Sequence, residues 1–314
     1  MNVNPMLKPS LLPSPLRALL AAAAVLPMLG ACGGGGGATG DTAGPAPTVS
    51  SFTVGAPRYS RQLLLTLNGS LLDQPITVTS AGCTGVARGT TAPNISTATT
   101  AYYTCTVNSQ GAQQFSVVRT ADNVSLASPS YTVPAPQVTM TVSNGAAVNG
   151  SFVITLAPQQ APITVNNFLK YVNAGFYNGS IFHRTTTTAT AGVEVVQGGG
   201  YDAPVAANTS PVHKTTDAPI VLEDNTGLSN VNLSVAMART SSPDTATSEF
   251  FINVVNNLNL DRTSTTRGYA VFGSVSAGAA VVVAAIKSAP CTAAIVSACL
   301  PIPNVVITSA TQSQ

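Results

Sequence analysis

Apolar residues in this chain come mostly in short runs with a period of two, and that pattern restricts it to a mainly β architecture. Phe152, Ile154 and Leu156 recur at every second position, as do apolar residues in segments 51–54, 62–67, 76–79, 102–107 and 115–119. Successive side chains on a strand point to opposite faces, so each such run buries one face. Turn formers separate them, Asn68-Gly69 and the stretch 108–111 among others. Only 8% of the 314 residues are charged, too few for long surface helices, whose outer faces want Glu and Lys.

The same scarcity removes several function classes. A net charge of +2 with no run of Lys or Arg gives no field to gather nucleic acid. With two histidines, no CxxC pair and no HExxH helix, there is no ligand set for a metal, and no cofactor is expected. Gly198, Gly199 and Gly200 are not followed by Gly-Lys-Ser/Thr, so they are no phosphate loop. His183 lacks the Gly-x-Ser-x-Gly elbow that would place it in a hydrolytic triad.

The first forty residues read as an address. Lys8 and Arg17 give a basic start, and residues 16–29 form an apolar run broken by Pro27, too short for a spanning helix. It ends in Leu29-Gly30-Ala31-Cys32, which resembles the lipobox of bacterial lipoproteins. That resemblance implies a signal peptide at 1–31, lipid on Cys32, and a Gly/Pro-rich tether at 32–47. Gly33, where an aspartate would retain the protein at the inner membrane, implies an outer-membrane anchor facing the periplasm. The lipid would be the only membrane contact. The alternative is an ordinary cleaved signal followed by a coincidental cysteine.

Cys32 is also the odd cysteine. The other four form two local pairs, Cys83 with Cys105 and Cys291 with Cys299, which suits an oxidising compartment; buried free thiols are the alternative. Residues 48–135 resemble a bacterial immunoglobulin-like β-sandwich in pattern alone, a spacer or binding module without histidines or clustered acids. A Cys83–Cys105 bridge there is worth about 3 kcal/mol by the chain-entropy model. Pro134-Ala135-Pro136 reads as the linker.

Residues 137–312 carry the chemistry. Val165, Phe168, Leu169 and Val172 fall at i, i+3, i+4 and i+7, which predicts a helix with Thr164 as N-cap and Gly175 as its stop. Further strands are expected at 250–254, 269–273 and 304–308, a second helix at 279–287, and a hairpin pinned by Cys291 and Cys299. Strands around one core with two helices at the ends make a closed antiparallel barrel.

Seven motifs then resemble bacterial cyclophilins, in order and near register: residues 161–168 (APITVNNF), Gly175-Phe176-Tyr177, Ile181-Phe182-His183-Arg184, Gln197 with its glycines, Ala236-Met237-Ala238-Arg239, Phe250-Phe251-Ile252-Asn253 and residues 268–273 (GYAVFG). The resemblance implies an eight-stranded barrel and peptidyl-prolyl cis/trans isomerisation of proline-containing polypeptides. It gives Arg184 the twisted amide nitrogen to stabilise, Gln197 the orientation of peptide and arginine, and Phe251 the floor of the proline pocket. Val195, Ala238, Arg239, Glu249, Leu260 and Tyr269 match positions on the peptide-binding walls, and His183 takes a structural place.

The chain departs from that pattern at four places. Val193-Glu194-Val195-Val196 stands where an aromatic is usual, so the wall would gain the Glu194 carboxylate. Glu249 replaces a glutamine and could pair with Arg184; Asn259 replaces an aromatic; Leu233 replaces a glycine. These changes leave two readings: a working isomerase, or a cyclophilin-shaped module that binds proline segments as a chaperone or scaffold without turnover.

Overall fold

The computed structural model describes residues 45–206, 211–294 and 298–314; the signal segment, Cys32 and the tether through residue 44 lie outside them. Its first strands are β1 (Thr48–Val54), β2 (Gln62–Ser70), β3 (Ile76–Thr79), β4 (Cys83–Arg88), β5 (Thr100–Val107), β6 (Gly111–Gln114), β7 (Ser116–Arg119), β8 (Ser125–Ala127) and β9 (Ser130–Val133). They pair antiparallel in three small sheets, β1-β2-β5-β4, β3-β7-β8 and β6-β9. Leu63, Leu65 and Leu67 of β2 point inward with Tyr103 of β5 and Val117 of β7, as the alternation required. Cys83 and Cys105 are bonded, tying β4 to its neighbour β5 within one sheet.

The second set begins with β10 (Gln137–Ser143), β11 (Asn149–Leu156), α1 (Pro162–Asn173), β12 (Ser180–Thr185) and α2 (Thr188–Ala191). It continues with β13 (Val195–Asp202), β14 (Ser234–Met237), β15 (Phe250–Asn253), β16 (Val271–Val275) and α3 (Ala280–Lys287). It ends with β17 (Cys291–Ala294), β18 (Ala298–Pro301) and β19 (Val305–Gln312). Hydrogen bonds run β13-β15-β14-β16-β11-β10-β19-β12, and β12 returns to β13, closing an eight-stranded antiparallel barrel. The Cys291–Cys299 hairpin, β17 with β18, hangs on β12 through Thr185 and Cys299.

The barrel is filled with rings. Phe152, Phe182, Phe250 and Phe272 come from four strands, Phe168 from α1 and Tyr177 from the turn after it; none is more than 1% exposed. Phe168 lies 4.9 Å from Phe272 and 5.6 Å from Phe250, edge-on to the latter. Each fully buried ring contributes about 2–3 kcal/mol by area, and each such pair about 1 kcal/mol more. Gly150 on β11 lets α3 approach; a Cβ there would sit 2.9 Å from Val282 Cγ2.

The stop of α1 is where glycine placed it. Gly175 has φ +69°, its N–H reaches Val172 O, and Phe176 N–H reaches Tyr171 O, a Schellman closure. The start is different from expectation. The helix begins at Pro162, so Thr164 is already inside the first turn and cannot cap it. The Glu223 carboxylate, 59 residues on from Thr164, does so instead. It accepts from Ile163 N at 3.1 Å and from Thr164 N and Oγ1, both at 2.7 Å. At the end of β19, Gln312 Nε2 donates to Tyr59 O at 2.8 Å, a contact with the turn before β2.

Candidate active site

Arg184 and Gln197 face each other across the β12–β13 ladder. Arg184 Nη1 donates to Gln197 Oε1 at 2.9 Å, and Gln197 Nε2 donates to Glu249 Oε2 at 2.6 Å. Glu249 enters because β15 lies beside β13, with Gln197 opposite Phe251 and Gly198 opposite Phe250. The glycine run makes room for this. A Cβ on Gly200 would fall 2.5 Å from Glu249 Oε1, and Gly199, at φ +89°, would place one 2.8 Å from the Tyr177 ring. These glycines serve close approach, not phosphate binding.

Arg184, Gln197 and Phe251 open onto one cavity of about 640 Å³. Val195, Ala238, Arg239, Glu249, Leu260 and Tyr269 line it too, so all nine residues expected at the pocket meet there. Phe251 is 4% exposed, edge-on to Tyr269 at 5.5 Å. Val195, Ala236 and Val271 back it in a small apolar cluster. Ala238 gives its N–H to Glu249 O and has no protein donor on its carbonyl among the described residues. Arg239 is committed to the wall: its guanidinium lies 4.5 Å from the Tyr269 ring centroid and donates to the carbonyls of Arg267, Gly268 and Thr240.

Burial lowers the Arg184 pKa, partly offset by Tyr269 and Glu249; a guanidinium stays charged regardless. Of its five N–H donors, one serves Gln197 and no carboxylate lies in ion-pair range among the described residues. The Glu249 carboxyl is pushed up by burial, but His183 beside it, with hydrogen bonds from Gln197 and His213, brings it down to about 2.

Two expectations need correction. Glu249 does not pair with Arg184, because Gln197 stands between them with one end of its amide on each. Glu194 does not enter the pocket: its carboxylate accepts from Thr188 Oγ1 at 3.0 Å and lies 3.8 Å from Lys287 Nζ. Strand parity explains this, since Val193, Val195 and Gln197 share the pocket face, whereas Glu194 falls on the alternate face with Val196, which packs in the barrel core. Leu233 is scaffold and sits at φ +65°, a conformation glycine would hold without strain. Asn259 does line the cavity and donates to Gly192 O at 3.4 Å.

The sequence reading missed His213 and Tyr201. The His213 ring lies 4.9 Å from that of Tyr201, and Tyr201 lies 4.6 Å from that of His183. Only the rarity of histidine marked His213 beforehand. No group of three or more His, Cys, Asp or Glu suited to a metal forms among the described residues.

Residues 137–312 match the family described as cyclophilin type peptidyl-prolyl cis-trans isomerase/CLD. A peptidyl-prolyl cis-trans isomerase of Acinetobacter baylyi is 46% identical over 133 residues, 42% of this chain and 65% of its own. Peptidyl-prolyl cis-trans isomerase A of Dickeya dadantii is 44% identical over 129 residues, 41% of this chain and 62% of its own. Peptidyl-prolyl cis-trans isomerase B of Escherichia coli is 42% identical over 137 residues, 43% of this chain and 77% of its own. The chain thus spans less than two thirds of the first two relatives. The matched stretch contains the entire barrel and the Arg184–Gln197 pocket, and the chain belongs to the cyclophilin-type peptidyl-prolyl isomerase family.

Proposed function

We propose that this protein is a peptidyl-prolyl cis-trans isomerase acting on proline-containing segments of polypeptides in the bacterial envelope. The observation that carries the reading is the Arg184–Gln197 pair beside the Phe251 floor. An X–Pro bond resists rotation by about 18–20 kcal/mol because its C–N bond is partly double. In the twisted state the nitrogen becomes pyramidal and regains a lone pair. A guanidinium beside the proline ring donates to that lone pair and not to the planar amide, so it stabilises the transition state selectively. Phe251 holds the ring by apolar contact without competing hydrogen bonds, and the free Ala238 carbonyl suits an extended peptide. Gln197 orients Arg184.

The envelope assignment rests on Cys32 and the segment before it, and residues 48–135 serve as an immunoglobulin-like spacer or client-binding module. The intact arginine–glutamine pair favours an enzyme over a module that only binds. The test is cis-to-trans isomerisation of an Ala-Pro peptide by the purified chain and its Arg184→Ala variant. Removing one preorganised donor of this kind lowers turnover by about 10²-fold or more, with peptide binding changed far less. Absent turnover in the folded wild type, or undiminished turnover in the variant, would sink the proposal.

A further inference from the structure

Glu249 stands in the pocket wall, yet neither of its oxygens is left for a substrate. Oε1 accepts from His213 Nε2 at 2.7 Å. Oε2 accepts from Gln197 Nε2 at 2.6 Å and has His183 Nε2 at 3.3 Å. Both histidines of the sequence therefore converge on one carboxylate. His213 faces an acceptor on each side, since its Nδ1 lies 2.9 Å from Lys214 O.

The consequence falls on Gln197. Its amide oxygen only accepts and its NH₂ only donates, while Arg184 offers donors alone and ionised Glu249 acceptors alone. One orientation of the amide satisfies both neighbours. The flipped one would set NH₂ against guanidinium and oxygen against carboxylate. A neutral amide at position 249 could rotate to suit either orientation; a carboxylate cannot.

We propose that Glu249 is a positioning residue: clamped by His213, it fixes the Gln197 amide with its oxygen on Arg184 and so holds the guanidinium in place. This assignment rests on the isomerase reading above. It is tested on the purified chain with an Ala-Pro peptide, comparing wild type, Glu249→Ala, Glu249→Gln, Gln197→Ala and the Gln197→Ala/Glu249→Ala double variant. Glu249→Ala lowers kcat/KM about tenfold, the scale of one charge-assisted hydrogen bond. Glu249→Gln, which keeps an oxygen for Gln197 Nε2, recovers most of that loss. In the Gln197→Ala background, Glu249→Ala costs no more than about twofold further, because its effect runs through the amide. A residue that only supports the fold would cost the same in both backgrounds; that result, or Glu249→Ala at the wild-type rate, overturns the proposal. Turnover in the wild type with additive variants removes this assignment alone, whereas a wild type without turnover removes the isomerase reading together with it.

Discussion

Replacing Glu223 by alanine removes the far end of a connection that neither neighbouring strand nor helix supplies. Its carboxylate accepts three hydrogen bonds at the start of α1, from Ile163 N, Thr164 N and Thr164 Oγ1. Loss of a capping acceptor costs about 1 kcal/mol, and loss of a negative charge at a helix N-terminus about 0.3–1 kcal/mol. Thr164 is fully buried, so its orphaned hydroxyl adds about 1 kcal/mol or more. Because Glu223 is itself half-exposed, water replaces part of this, and the expected total is about 2 kcal/mol. At about 2–4 °C per kcal/mol for a domain of this size, the melting temperature falls by about 4–8 °C. Urea unfolding followed by far-ultraviolet dichroism measures the free energy directly. Adding Thr164→Val to Glu223→Ala removes the orphaned donor and should return about half of the loss. A Glu223→Ala variant with the wild-type midpoint, or a double variant worse than the single, refutes the argument.

Two further outcomes are expected, one from the structure and one from the sequence before it. Asp224 is only 2% exposed at its side chain and accepts from Arg262, Arg267 and Gly268 N. Burial raises its pKa, yet those hydrogen bonds bring it down to about 2. A carboxyl depressed on folding stabilises fully above its unfolded pKa near 3.9, and that contribution fades as pH falls through about 2. Asp224→Asn should therefore lower stability at pH 7 and flatten the acid limb between about pH 4 and 2, with the two curves converging at lower pH. It should also raise KM, since Gly268 leads into Tyr269; parallel acid curves would contradict the assignment. For the anchor, Cys32→Ala should abolish labelling by radioactive palmitate and move the protein from the membrane pellet to the soluble envelope fraction, and an unlabelled wild type would end that reading.

How much of this was legible depends on the range of the cause. Period-two alternation marked β2, β5 and β11 because burial of one face is a local property of the strand. The short strands β4, β6 and β8 hold three to six residues, with weak or absent alternation, and went unread. Gly175 worked as a signal because a left-handed turn is written in a single residue. Thr164 misled because caps are usually local, and nothing near 164 announces a carboxylate at 223. His213 belongs to a stretch with little regular structure, and its partner Glu249 lies 36 residues away. Motif order brought the nine pocket residues together. The parity that turns Glu194 away from the pocket was present in the sequence and simply outweighed by its neighbours.

The order of the barrel also sets a timetable. Val305–Gln312 lies between β10 and β12, bonded to both, and it leaves the ribosome after the other seven strands. Until it arrives the ring is a gapped sheet, and the strand carrying Arg184 lacks one neighbour while exposing unpaired backbone. A premature stop or proteolytic cut upstream of Val305 would therefore yield an open, sticky sheet rather than a slower version of the same molecule. The last strand acts as a keystone, and a finished pocket certifies that the whole arch behind it was built.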